Sequence, residues 1–331
     1  MNTTDADATA QFAAAIATGD RAAIARALNL LDDRRPQARR QAAALLTLLQ
    51  LDQNTPGGHL IGITGPPGAG KSTLSAALIR VWRQRGLRVA VLAVDPSSPL
   101  SGGALLGDRL RMQTSAEDDG VFVRSLSNRG QFGGLSAEVW PMSIVMLAGF
   151  DIVLIETVGV GQREVDVARL CDTTCYVAQP GSGDSVQFLK AGILEVPHIL
   201  VVNKADMGAV ATRTHSELAS ALKRTHPDGN WQVPVLATSA ASNDGVVALA
   251  DALAQHYQLL QTEQRLAQRR KHYQSYWLHK RLLEEFGSFG IDRLGGEKHL
   301  LALIESQPMN LYEQYETLRW RLYNELNDID R

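Results

Sequence analysis

"IGITGPPGAGKSTL", residues 61–74, decides the fold class: an apolar run breaks into glycines and prolines, then a lysine and two hydroxyl residues. Gly65-Pro66-Pro67-Gly68-Ala69-Gly70-Lys71-Ser72 fits the pattern G-x-x-x-x-G-K-[ST]. A strand is expected before it at 60–64 and a helix after it over 72–84, the context in which such a loop holds a polyphosphate. Glycines let the amide N–H groups turn inward, and the helix presents its positive end to the phosphates. The pocket is expected to run from Gly65 to Thr73. Lys71 is expected to bridge the β- and γ-phosphates, with the Ser72 hydroxyl on Mg²⁺.

Further apolar runs follow, among them "RVAVLAV", "VFVRS", "DIVLIE", "TTCYVAQ", "HILVVN" and "VPVLATS". Several are apolar throughout, which suits strands buried on both faces of a mainly parallel sheet, with helices filling the gaps as right-handed crossovers. The expectation is a three-layer α/β domain over 56–258. Before it, 1–55 reads as two or three short helices, with Pro36 breaking or beginning one. After it, 259–331 is helical and more charged, and Tyr273, Tyr276, Trp277, Leu282 and Phe286 recur at helical spacing. That segment is either a bundle packed on the core or a protruding arm that dimerises.

Composition excludes some classes. Hydrophobic residues make up 45% and charged residues 21%, as in ordinary globular proteins. A net charge of −2 gives no electrostatic reason to expect nucleic acid or an anionic membrane as partner. No apolar stretch reaches membrane-spanning length, and "MNTTDADATAQF" lacks the basic start and apolar centre of a signal peptide, so a cytoplasmic protein is expected. Cys171 and Cys175, the only cysteines, read as buried reduced thiols because the second falls in a strand.

"HILVVNKAD" ends in Asn203-Lys204-Ala205-Asp206, an N-K-x-D pattern at the C-terminal end of a strand, where open α/β sheets bind ligands. An aspartate there can accept from guanine N1–H and N2–H₂, whereas adenine would leave the buried carboxylate unmatched. Asn203 can tie this loop to the phosphate loop, and the Lys204 stem can cover the base. Ser239-Ala240-Ala241 ends another strand and is placed for backbone contact with guanine O6. The expected ligand is therefore GTP or GDP rather than ATP. In "DIVLIETVGVG", Glu156 stands where many D-x-x-G turns have aspartate, and the Gly159 amide is expected at the γ-phosphate, so that the loop beyond it senses hydrolysis. Asp95 ends the second strand; its alternative is a turn aspartate before Pro96. By itself Asp108 would be an ordinary surface acid.

Together "GPPGAGKST", "VLAVDPSSPLSGGALLGDRLRM", "GFDIVLIETVGVGQREVDVA", "PGSGDSVQFLKAGILE" and "VNKAD" resemble the MeaB/ArgK GTPases, the chaperones associated with methylmalonyl-CoA mutase. The resemblance implies a P-loop G domain of the SIMIBI type and a homodimer joined through the C-terminal helices. It also implies slow GTP hydrolysis stimulated by an adenosylcobalamin-dependent acyl-CoA mutase, whose cofactor loading the GTPase gates and which it protects or reactivates. The family's Mg²⁺ carboxylates fall on Asp95, Asp108 and Glu156, so Lys71, Glu156 and Asp95 form the expected catalytic set. The stretch 179–190 matches a partner-sensing loop, with Lys190 its contact residue. Two departures, "PGSGDSVQFLKAG" for wording nearer "DELQGIKKG" and "NRGQFGG" for "GTLGG", point to a relative of the methylmalonyl-CoA enzyme as partner.

Gln162 lies too far past the E-T-V-G turn to be an obvious water-positioning residue, and Arg109, Arg129 and Arg163 are all open as an arginine finger. Three other readings stand beside this one. An ATP-dependent kinase of a transport protein is opposed by Asp206. A nickel-delivery GTPase is opposed by the dispersal of His215, His226 and His256. A nucleotide-dependent scaffold would hardly hydrolyse GTP at all.

Overall fold

The computed structural model describes residues 3–49, 57–95, 118–127, 138–157, 167, 170–181, 197–222, 231–306 and 311–327. In chain order its elements are α1 (Thr3–Ala17), α2 (Arg21–Asp32), α3 (Pro36–Leu48), β1 (His59–Thr64), α4 (Lys71–Gln84), β2 (Val89–Asp95), β3 (Val121–Ser127) and α5 (Val139–Gly149). There follow β4 (Ile152–Thr157), β5 (Thr173–Ala178), β6 (Ile199–Val202), α6 (Ala209–Leu222), β7 (Val235–Ala237), α7 (Val246–Thr262), α8 (Arg265–Arg293), α9 (Glu297–Ser306) and α10 (Leu311–Asn327).

All seven expected strands form, and they make one parallel sheet in the order β3-β2-β4-β1-β5-β6-β7. β1, β4, β5 and β6 are buried along their whole length. That is why their sequences are apolar runs and do not alternate. Successive side chains serve opposite faces. Ile61, Ile63, Cys175, Val177, Ile199 and Val201 pack with Leu74, Leu78 and Trp82 of α4 and with Val246, Leu249 and Leu253 of α7. Tyr176, Ala178, Leu200 and Val202 face the other way, onto Ala211 and Leu218 of α6. These two faces give the three-layer α/β architecture. Both cysteines are buried and in no disulfide, and burial pushes the Cys175 thiol up to about 12.

The chain groups into two compact units. The sheet unit comprises 57–136 and 150–266; the helical unit comprises 1–56, 137–149 and 267–331. Within the helical unit three N-terminal helices form, and Pro36 takes the first position of α3, where its missing N–H costs nothing. Asp20 caps α2 by accepting from Ala23 N–H at 2.9 Å. α5 carries no polar stripe: Val139, Trp140, Met142, Val145, Met146 and Leu147 are all buried. A helix apolar all round must be enclosed, and α5 is enclosed here, with Trp140 edge-on to Tyr273 at 5.8 Å.

Tyr273, Trp277 and Leu282 are the buried stripe expected of α8. Trp277 stacks on Tyr312 at 5.1 Å and meets Tyr315 edge-on at 5.8 Å. α8 is broken at Gly287, where φ is 66° and ψ −172°. Just before the break, Glu285 accepts from Arg319 Nε at 2.7 Å and from the Tyr315 hydroxyl, with Arg39 at 3.9 Å.

Two consequences are measurable. A β-carbon on Gly62 would stand 2.3 Å from Val167 Cγ1 and 2.8 Å from Cys171 Sγ. Gly62→Val is therefore expected to destabilise the protein by about 2–3 kcal/mol in denaturant titration. Burial tends to raise the Glu285 carboxyl, but the bonds from Tyr315 and Arg319 outweigh it and hold the group below its ordinary 4.5. A carboxyl lowered by folding adds stability that is complete above its unfolded value and disappears as pH falls through its folded value. Glu285→Gln should accordingly lose less stability than the wild type as the pH is taken below 4.5.

Candidate nucleotide site

The C-terminal ends of the parallel strands converge at one edge of the sheet. Ile63 of β1, Glu156 of β4 and Ala93 of β2 are in register, so the turn after β1 starts level with the Glu156 carboxylate. Gly65 to Gly70 form that turn, and Lys71 opens α4. Gly70 has φ +87°, and a β-carbon there would lie 2.5 Å from Asn203 Nδ2. Only glycine combines that dihedral with so close an approach.

Lys71 is buried, and its ammonium donates to the carbonyls of Gly65 at 2.8 Å and Pro66 at 3.0 Å. A buried cation needs such acceptors. The Ser72 hydroxyl donates to Glu156 Oε1, and the Glu156 side chain is buried. A hydroxyl and a carboxylate brought together in this way are hard oxygen donors of the kind Mg²⁺ takes, so the residues present fit the ion. Thr73 is exposed at the start of the helix.

Asn203 is the most connected of the expected residues. Its Nδ2 donates to Ala69 O at 2.9 Å, while its Oδ1 accepts from Ala240 N–H and from the Thr238 hydroxyl, each at 3.2 Å. Lys204 follows with left-handed backbone, φ 58°, which brings its Cε to 3.9 Å from the position of a Gly70 β-carbon. Asp206 is exposed in the 3-10 turn Ala205–Met207, and its Oδ1 accepts from the Ser239 hydroxyl at 2.7 Å. Ser239 and Ala240 are buried, Ala241 is exposed, and Ser239 N–H is held by Asp244 O at 2.9 Å.

Gly65, Pro66, Pro67, Gly68, Ala69, Gly70, Lys71, Ser72, Glu156, Asn203, Lys204, Asp206, Ser239 and Ala240 therefore meet at one edge. Asp95 ends β2 at that same edge, as its backbone pairing with Ser127 shows. Asp108, Gly159, Lys190, and the stretch 179–190 beyond Gly181, lie outside the described residues, as do Gln162, Arg109, Arg129 and Arg163. Thr238 was not anticipated. The only available signal was its place beside Ser239, because its role depends on β6 and β7 being neighbours.

Comparison with known proteins agrees with this geometry. The family profile described as "Methylmalonyl Co-A mutase-associated GTPase MeaB" matches residues 24–288. A Pyrococcus abyssi protein named as a GTPase is 43% identical over 256 residues, 76% of this chain and 77% of its own. GTPase ArgK of Escherichia coli is 36% identical over 274 residues, 81% of each chain. A crystal structure described as a LAO/AO transport system kinase superposes with a TM-score of 0.69 at 26% identity, covering 99% of both chains.

Removing the Asn203 carboxamide deletes its hydrogen bonds to Ala69 O, Gly70 O, Ala240 N–H and the Thr238 hydroxyl at once. Asn203→Ala is expected to cost about 2–4 kcal/mol of stability in the absence of nucleotide, measured by chemical denaturation.

Proposed function

The chain belongs to the MeaB family of GTPases, and on that premise we propose that it is a G-protein chaperone of an adenosylcobalamin-dependent acyl-CoA mutase. In this reading it works in the cytoplasm, gates cofactor loading and protects or reactivates the mutase. The family description, which names methylmalonyl-CoA mutase, supports that class of partner. The observation that carries the nucleotide half is the Asn203 bridge, which ties the phosphate loop at Ala69 to the base-reading loop at Ala240.

The substrate assignment follows the contacts. Asp206, oriented by Ser239, accepts from the guanine edge. Asn203 and the Lys204 stem support the base, while Ala240 and Ala241 present backbone N–H groups to its O6. The amides from Gly65 to Gly70 surround the phosphates, and the E-T-V-G pattern assigns the γ-phosphate to the Gly159 amide, which lies outside the described residues. Lys71, whose ammonium lies at the Gly65 and Pro66 carbonyls, is the cation for oxygens of the β- and γ-phosphates. Ser72, Glu156, Asp95 and Asp108 are the residues that would hold Mg²⁺, which supplies charge neutralisation along the phosphate chain. A water oxygen attacks the γ-phosphorus in line, the bond to the β-phosphate oxygen breaks, and GDP and inorganic phosphate result. Slow turnover alone, stimulated by the mutase, would follow from a site that the partner completes.

An exposed apolar set on α8 and α10, comprising Leu283, Phe289, Tyr323 and Trp320 at 70% exposure, supports a homodimer built through the C-terminal helices. A second reading, phosphorylation of a transport protein, has the description of the superposed structure in its favour. Asp206 opposes it, because a kinase using ATP has no need of a carboxylate at the base.

The experiment is a nucleotide titration and turnover assay with and without a cobalamin-dependent mutase. Wild-type protein should prefer GDP and GTP to adenine nucleotides and hydrolyse GTP faster when the mutase is present. Lys71→Ala should lower GTP turnover by about 100-fold or more, and Asp206→Asn should weaken GTP by about tenfold or more. Preference for ATP, or Lys71→Ala hydrolysing GTP at the wild-type rate, would overturn the reading.

A further inference from the structure

β5 and β6 run side by side with Ala178 paired to Val202. The next residue on each strand, Gln179 and Asn203, therefore leaves the sheet at the same level. Both are carboxamides, and both adjoin the phosphate loop. Asn203 takes the Ala69 carbonyl, as described above. Gln179, half-buried, places its Oε1 only 3.3 Å from the position a β-carbon would occupy on Gly68. One turn earlier, a β-carbon on Gly65 would stand 2.2 Å from Val177 O. The loop is thus approached at Gly65 by the main chain of β5, at Gly68 by the side chain that follows β5, and is hydrogen-bonded at Ala69 by the residue that follows β6.

From this geometry we infer that Gln179 is a positioning residue for the nucleotide's phosphate tail. It braces the Gly68 turn from outside as Asn203 braces Ala69, so that the loop's amides stay aimed inward. The inference rests on the guanine-nucleotide reading of the site. A neutral amide suits the place, because a carboxylate so near the loop would oppose the polyphosphate. The short junction after Gln179 is also tied at its far end. Gly181 has φ +71°, and its N–H donates to the Thr214 hydroxyl of α6 at 3.3 Å. Residues 179–181 therefore link the phosphate loop to the helix that follows the base-reading turn.

The test compares wild type with Gln179→Leu, which keeps bulk and loses the amide, and Gln179→Glu, which keeps shape and adds charge. Calorimetry measures GMP, GDP and a non-hydrolysable GTP analogue, and a thermal melt is taken without nucleotide. Gln179→Leu should bind GDP and the GTP analogue about tenfold more weakly while GMP changes by less than about twofold. Gln179→Glu should weaken binding more with each added phosphate. Both melts should stay at the wild-type temperature. Unchanged GDP and GTP binding in both variants, or equal losses for all three nucleotides, would overturn the assignment. Wild-type protein that binds none of the three would sink the guanine-nucleotide reading and this assignment with it, which distinguishes the two failures.

Discussion

One buried carboxamide holds the nucleotide edge together. Asn203 joins the phosphate loop, through Ala69 O, to the turn after β7, through Ala240 N–H and Thr238 Oγ1. Loops rarely bury their backbone, because polar groups there lose water without gaining a ladder partner. Ala69 is fully buried, and its carbonyl is satisfied only because β6 delivers a donor to it. That bond works alongside Ala205 N–H to Thr238 O at 2.9 Å and the Ser239 hydroxyl to Asp206, which fasten the base-side turns to each other. Asn203 adds the link from those turns to the phosphate loop.

Other polar groups of the site are engaged as well. Lys71 is neutralised by two loop carbonyls, Ser72 bonds to Glu156, and Asp206 is held by Ser239. Burying these groups without acceptors or donors would be expensive. Each bond therefore helps to hold the loops in shape. The Ser239 bond also orients the Asp206 carboxylate.

Within the helical unit the logic is aromatic packing closed by a few ion pairs. Trp277, Tyr312 and Tyr315 form a ring cluster, and the Arg281 guanidinium stands over Tyr315 while donating to Glu138 at 3.1 Å. Glu138 directly precedes α5, a helix from the middle of the chain. α5 is nonetheless enclosed with the N- and C-terminal helices.

Local chemistry is what the sequence by itself determined. β1, β4, β5 and β6 announced themselves as apolar runs because they are buried along their whole length. G-x-x-x-x-G-K-S and N-K-x-D were legible because their function needs particular side chains within a few residues of a strand end, and the guanine expectation followed from Asp206 taken with the phosphate loop before it and the Ser239-Ala240 turn after it. Other features depended on which strands are neighbours, and only the tertiary structure decided that. Thr238 reaches Asn203 because β7 lies next to β6, and Gln179 stands level with Asn203 because β5 lies on the other side. The membership of α5 was equally hidden, since an apolar helix carries no mark of which neighbours enclose it. Spacing along a chain records what one segment can do; adjacency between distant segments is set by strand order and packing, and no short stretch encodes it.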